Sequence, residues 1–258
     1  MQLNVFITGA SSGIGLAMAQ EFARRGATVG LVARDLTKLN AARQTLENPD
    51  RHQVFLADVT NKDDMVRVAR EFTQRIGEAD IVIANAGISH GVKTEYFEDL
   101  AVLEQIYKTN VFAMAYTFHP FIASMKARRA GQLVGIGSVA GIRGLPGSEA
   151  YCASKSAVIT YCESLRVELK KSDVLVQTIC PGFVKTALTA KNPYKMPFAQ
   201  TPEEFARDAV PAILSRTTYR VIPWQMGILA KILRLLPNAV FDKVTANRKQ
   251  KPRLADKN

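Results

Sequence analysis

Tyr151 and Lys155 stand four residues apart in a stretch that reads as a helix, Tyr-Cys-Ala-Ser-Lys, so a phenol and an ammonium share one face. A free phenol has a pKa of about 10, and bringing it to about 7 requires roughly 4 kcal/mol. A unit positive charge about 4 Å away, at an effective dielectric of about 20, supplies roughly that amount. The pair is therefore a candidate acid–base device. The plain alternative is a solvated helix face carrying two unrelated polar groups.

Two further polar groups are candidates for the same site. Residues 132–137 (QLVGIG) read as a strand ending at Ser138, which sets a hydroxyl beside the phenol if the next helix carries Tyr151. Asn110 lies in the middle of a strongly apolar helical stretch, residues 98–128, that Pro120 is expected to break. An amide in such a place needs a partner. Satisfaction by neighbouring backbone is the plain reading, and a part in the chemistry the sharper one. His119, beside Pro120, reads as structural.

The elements that must hold these groups alternate between strand and helix. Residues 3–8 (LNVFIT) form an apolar run that breaks at Gly9 and enters GASSGIG, after which Ile14, Met18 and Phe22 recur at helical spacing. Gly9, Gly13 and Gly15 allow a tight turn and a close approach to a pyrophosphate at the helix N-terminus. Residues 27–33 read as a second buried strand and residues 53–56 as a third. A helix over residues 61–75 follows, with Met65, Val68 and Phe72 on one face. Residues 80–84 make a fourth strand, ended by Asn85-Ala86-Gly87, small residues beside which a flat ring fits. Residues 174–180 and 219–222 read as the last two strands.

The end of the second strand bears on the nucleotide. Dinucleotide folds that select NAD place a carboxylate on the ribose 2′-hydroxyl, whereas a 2′-phosphate calls for a cation. Here Ala33 precedes Arg34, whose planar fork suits phosphate, so NADP(H) is preferred and NAD(H) still admitted. The alternative leaves Arg34 on the surface and Asp35 as the N-cap of the next helix. Asp58, at the carboxyl end of the third strand, is placed to meet an adenine, with helix capping as its other use.

Residues 187–200 carry Tyr194, Met196, Pro197 and Phe198 with no clear period and read as an apolar substrate lid. Thr201-Pro202-Glu203-Glu204 is a capping box with proline at the first helical position, starting a helix that runs to about Ser215.

Composition bounds the rest. At 258 residues, without an internal linker, one α/β domain over residues 1–222 is expected, with an apolar helix and basic tail, residues 223–258, appended to it. The formal net charge is +11, but much of it is terminal. From residue 243 onward, Lys243, Arg248, Lys249, Lys251, Arg253 and Lys257 stand against Asp256 alone. No stretch interleaves aromatic and basic residues as a base-stacking groove requires, so nucleic acid is not expected as a partner. Cys152, Cys162 and Cys180 lack metal or disulfide spacing, and no signal-like segment precedes the first strand, so a reduced cytoplasm is expected. The segment WQMGILAKILRLL, residues 224–236, is too short to span a bilayer. It either docks on its own domain or a sister subunit, or makes a peripheral membrane contact together with the tail.

Taken together, T-G-A-S-S-G-I-G at residues 8–15, Asp58, Asn85-Ala86-Gly87, Asn110, Ser138, Tyr151, Lys155 and the run from Pro181-Gly182 to Thr186 resemble the short-chain dehydrogenase/reductase family over about residues 1–220. The resemblance implies a Rossmann-type, doubly wound parallel sheet of seven strands with helices on both faces. It implies Tyr151 as acid–base, Ser138 on the substrate oxygen, and Lys155 on the nicotinamide ribose, where it lowers the tyrosine pKa. Asn110 would support a proton relay through water. Gly9, Ser11, Ser12, Gly13, Ile14 and Gly15 would cradle the pyrophosphate and Asp58 with Val59 would hold the adenine. Asn85, Ala86 and Gly87 would border the adenosine ribose, while Pro181, Gly182, Val184 and Thr186 would clasp the nicotinamide end. Ala84 departs from the family where many members carry a second asparagine. The carboxyl end also lacks the glycine-rich stretch of the acyl-carrier-protein reductases. The implied activity is hydride exchange between NADP(H) and a carbonyl or alcohol on an apolar substrate, in a homodimer or homotetramer paired through the helices over residues 98–128 and 150–171. A protein that keeps the nucleotide site without chemistry, for regulation or membrane association, is the alternative.

Overall fold

Short apolar runs whose residues are buried on both sides can pair only as central strands of a covered sheet. The computed structural model describes residues 2–190 and 192–255, and seven such runs form one sheet in it. These are β1 (Asn4–Thr8), β2 (Thr28–Ala33), β3 (Gln53–Leu56), β4 (Ile81–Ala84), β5 (Gln132–Ile136), β6 (Leu175–Pro181) and β7 (Tyr219–Ile222). Their order is β3-β2-β1-β4-β5-β6-β7, and all six pairings are parallel. Side chains alternate between the two faces, Val5 and Ile7 joining one core and Phe6 the other.

The first core lies under α1 (Gly13–Arg24), α2 (Leu36–Gln44) and α7 (Pro202–Leu214), with Met18, Phe22, Leu39, Phe205 and Val210 buried. The second lies under α3 (Lys62–Arg75), α5 (Ala113–Arg128) and α6 (Glu149–Leu169), where Phe6, Phe55, Phe72 and Phe121 pack ring against ring. Thr201 and Glu204 form the expected capping box at the start of α7, and Asp35 caps α2 by accepting from Lys38 N.

The stretch over residues 98–128 breaks elsewhere than expected. Pro120 lies inside a continuous α5, held there because Phe118, Phe121 and Met125 on the same helix are buried against the sheet. The interruption comes earlier, at a wide π-helical turn, Lys108–Phe112, between α4 (Phe97–Tyr107) and α5. Asn110 sits within it, and such turns often mark functional sites.

Chain order and sheet order reverse between β1 and β4, which opens a crevice at the carboxyl ends of those strands. Beyond β7, α8 (Trp224–Leu235) packs on that strand and is followed by α9 (Asn238–Thr245). The expected tail residues Asp256 and Lys257 lie outside the described residues, as does residue 191 of the lid segment. Among the described residues no helix is long and apolar enough to cross a membrane.

Candidate active site

The loop after β1 presses against the end of β4, which fixes the floor of the crevice. Gly9 has φ +66° and Gly13 φ +55°, conformations open to glycine. A Cβ on Gly15 would lie 2.2 Å from the carbonyl oxygen of Gly9 and 2.5 Å from Asn85 Nδ2, so the turn closes only with glycine there. Asn85 ties the two strand ends together, its Nδ2 donating to Thr8 O at 2.9 Å and its backbone N–H to Thr8 Oγ1 at 3.1 Å. Ser12 precedes α1 in extended conformation without a side-chain cap, leaving the first N–H groups of the helix toward the crevice.

The crevice is a cleft of about 790 Å³. Its wall contains Gly9, Ser11, Ser12, Gly13, Ile14, Gly15, Arg34, Asp58, Val59, Asn85, Ala86 and Gly87, and continues to Tyr151, Lys155, Pro181, Gly182, Val184 and Thr186. A second, apolar cavity of about 240 Å³ opens beside it, between the lid segment and α8. Ser138, Tyr151 and Gly182 stand on the wall common to both cavities. Ser138 lies two residues past β5 and caps a 3-10 turn, Val139–Gly141, its Oγ accepting from Ala140 N at 3.1 Å. Tyr151 and Lys155 lie one turn apart on α6, as their spacing requires.

A fold of this topology, with a glycine turn at the switch point and a serine, tyrosine and lysine at the far end of the cleft, has recognisable relatives. The family profile for short chain dehydrogenase matches residues 3–196. The chain belongs to the short-chain dehydrogenase family. An uncharacterized oxidoreductase of Myxococcus xanthus is 36% identical over 92% of this chain and 93% of its own length. An epidermal retinol dehydrogenase 2 of Mus musculus is 32% identical over 90% of this chain and 78% of its own. A solved short-chain dehydrogenase of Streptomyces avermitilis, 23% identical, superimposes with a TM-score of 0.77 over 95% of each chain and shows the same fold. As a short-chain dehydrogenase the protein is an oxidoreductase with a nicotinamide cofactor, NAD or NADP.

The cleft of this short-chain dehydrogenase fits such a cofactor in residue type from end to end. Glycines and free helix N–H groups that would hold a pyrophosphate line it, with Arg34 and Asp58 at one end and Tyr151 and Lys155 at the other. Arg34 is exposed and pairs with no carboxylate among the described residues. Lys38, one turn into α2, adds a second cation to this end of the cleft, 3.3 Å from Asp35. It was legible as the residue four positions after Arg34. Asp58 does not cap α3. Asn61 does, while Asp58 Oδ1 accepts from Thr60 N at 2.9 Å and Thr60 Oγ1 at 2.8 Å.

The electrostatics of the Tyr151–Lys155 pair differ from the expectation that the ammonium alone activates the phenol. Lys155 Nζ lies 5.9 Å from the centroid of the Tyr151 ring and donates to Ile136 O at 2.8 Å. Burial pushes the phenol up to about 12, against a hydrogen bond from Ser138 that pulls it down. The same burial pulls Lys155 down to about 8. At the phenol desolvation outweighs the hydrogen bond from Ser138, and at the ammonium it is the largest cause as well, so burial dominates both groups.

Asn110 does not line the cleft. Its Oδ1 accepts from Ile88 N at 2.9 Å, and its Nδ2 donates to Ile88 O and to Ser154 Oγ, both at 3.0 Å. The amide is thus satisfied mainly by backbone, and it fixes the loop after β4 against α6.

The apolar cavity draws on residues that local pattern did not assign to it. Tyr194 and Pro197 of the expected lid line it, whereas Phe198 points outward and is exposed. The ends of the lid are pinned by a bridge between Val184 and Gln200. Met226, Leu229, Ala230 and Leu233 of α8 form the opposite wall, and Arg143, Lys195, Arg248 and Lys251 supply its charges, with no carboxylate on it among the described residues. Much of the basic tail is used inside the molecule. Lys251 Nζ donates to Ser89 Oγ and Leu188 O, both at 3.0 Å, and Arg253 pairs with Asp99 at 2.8 Å and Glu98 at 2.7 Å. Arg143 caps α8 by donating to Leu236 O at 2.7 Å and stacks over Phe241 at 3.9 Å.

Proposed function

We propose that this protein is an NADP(H)-dependent reductase or dehydrogenase of a carbonyl or alcohol carried on an apolar body, with Tyr151 as its acid–base. The observation that carries the reading is the position of Tyr151 and Ser138 on the wall shared by the nucleotide cleft and the apolar cavity. A group reacting there meets both compartments.

When bound, the nicotinamide supplies or accepts a hydride at its C4. Arg34, with Lys38 beside it, holds the 2′-phosphate, and the loop from Gly9 to Gly15 with the start of α1 holds the pyrophosphate. Ser138 donates to the substrate oxygen, and Tyr151 gives the proton to that oxygen in reduction or takes it in oxidation. Lys155, held by Ile136 O, carries a positive charge beside the nicotinamide ribose. Asn110 is a positioning residue that keeps the Ile88 loop in register with the cleft. An apolar wall with cations and no carboxylate favours substrates whose far end is neutral or anionic over cationic ones.

Exposed Phe97, Phe112, Tyr161 and Val167 on α4, the π turn and α6 support pairing with a second copy, which light scattering measures. Three free, buried cysteines suit a reducing compartment such as the cytoplasm.

The test is NADPH oxidation over a panel of aldehydes, ketones, steroids and long-chain keto acids, repeated with Tyr151→Phe. Turnover should vanish in the variant while NADPH affinity stays nearly intact. Retained turnover, or loss of NADPH binding along with it, refutes the assignment of Tyr151.

A further inference from the structure

Helix α8 has two apolar faces, and only one of them is used by the fold. Met226, Gly227 and Ala230 are buried, and Met226, Leu229, Ala230 and Leu233 wall the substrate cavity. On the opposite side Trp224, Ile228, Ile232 and Leu235 recur at helical spacing and are 62%, 51%, 53% and 83% exposed. Val240 and Val244, one turn apart on α9, are exposed as well. Isolated exposed apolar side chains are ordinary, but four of them along one face of α8, with two more on the next helix, are more than soluble monomers usually leave bare.

The charges on α8 itself are of one sign. Lys231 and Arg234 are exposed on α8, between and beside the apolar residues. No aspartate or glutamate occurs between Asp208 and Asp242. A two-fold contact between copies of this chain through α8 would set Lys231 and Arg234 against themselves with no acid on that helix to offset them. A surface carrying negative charge over a hydrocarbon layer matches it instead. At 12 residues α8 is too short to cross a bilayer, which leaves an orientation parallel to the membrane plane.

We propose that the outer face of α8 and α9 docks on anionic phospholipid membrane, with Trp224, Ile228, Ile232 and Leu235 inserted at the headgroup boundary and Lys231 and Arg234 on lipid phosphates. This places the apolar cavity one helix away from the bilayer. The binding step is independent of the oxidoreductase reading, because none of the inserted residues lines either cavity.

The experiment is co-sedimentation of the full chain with vesicles of phosphatidylcholine alone and of phosphatidylcholine with phosphatidylglycerol, at low and high salt. Binding should require the anionic lipid and fall as salt rises. Lys231→Gln with Arg234→Gln should weaken it about thirtyfold, and Ile232→Glu with Leu235→Glu should abolish it. Both double variants should keep the parent's melting temperature and its NADPH affinity, which separates loss of docking from loss of fold or of the nucleotide site. Three results overturn the proposal. The parent ignores anionic vesicles, or the folded variants bind them as the parent does, or Ile232→Glu with Leu235→Glu dissolves a dimer of a parent that binds no lipid.

Discussion

Asn110 holds Ile88 by both of its peptide groups, accepting from the N–H at 2.9 Å and donating to the carbonyl at 3.0 Å. Replacing it with leucine leaves two partly buried backbone groups without this partner, at up to roughly 1–3 kcal/mol each. Asn110→Leu should therefore lower stability to urea by a few kcal/mol and weaken NADPH binding, because Ile88 borders the nucleotide cleft. The pH profile of kcat separates the roles. A positioning residue leaves it in place, while a member of a proton relay displaces it.

Arg34 and Lys38 line the cleft, and on the proposed reading they hold a 2′-phosphate. A charge-assisted contact is worth roughly 1.5–3 kcal/mol. Arg34→Ala should then weaken NADPH by about tenfold or more, as measured by nucleotide fluorescence, and change NADH little. Lys38→Ala should act in the same direction with a smaller effect, since its ammonium also serves Asp35. Equal loss for both nucleotides would show that neither cation reads the phosphate.

Burial depresses Lys155 from 10.5 to about 8, which makes the folded chain release a proton that the unfolded chain keeps between those two values. Stability conferred through this group accordingly rises with pH across that window and is lowest below about 8. Urea unfolding of the parent and of Lys155→Met should show the parent gaining on the variant by roughly 3 kcal/mol between pH 7 and pH 10.5. A pH-independent difference would mean that the ammonium is not desolvated as its surroundings imply.

The ion pair of Arg253 with buried Asp99 ties the tail to the start of α4 and so holds Lys251 across the substrate cavity. Arg253→Ala should raise KM for the carbonyl substrate several-fold with little change in NADPH affinity, since the tail lines one cavity and not the other. Arg253 keeps the Asp99 carboxyl below its ordinary value, so the stability lost in the variant should shrink as pH falls through and below about 4.

The lining of the cleft was open to reading because it is local. Glycine spacing, strand ends and the residue after β2 are neighbours in sequence, and every cofactor residue named from them lies on the cleft. The capping box at Thr201 and the bounds of β3 and β7 were legible for the same reason. The substrate half was not, because its wall joins Ser89, Tyr194, Leu229 and Lys251, four separate stretches with no shared periodicity. The state of the Tyr151–Lys155 pair also escaped the sequence, since desolvation is decided by what packs around α6 and not by spacing along it. Pro120 misled because burial of its neighbours outweighed its missing N–H.

The two cavities are assembled from different lengths of the chain. No described residue beyond Pro202 lines the cleft, whereas Met226, Leu229, Leu233, Arg248 and Lys251 all line the apolar cavity. During synthesis on the ribosome, the parts that grip the dinucleotide emerge well before those that enclose its reaction partner. A nascent polypeptide therefore has the lining for one ligand while the chamber for the other still stands open.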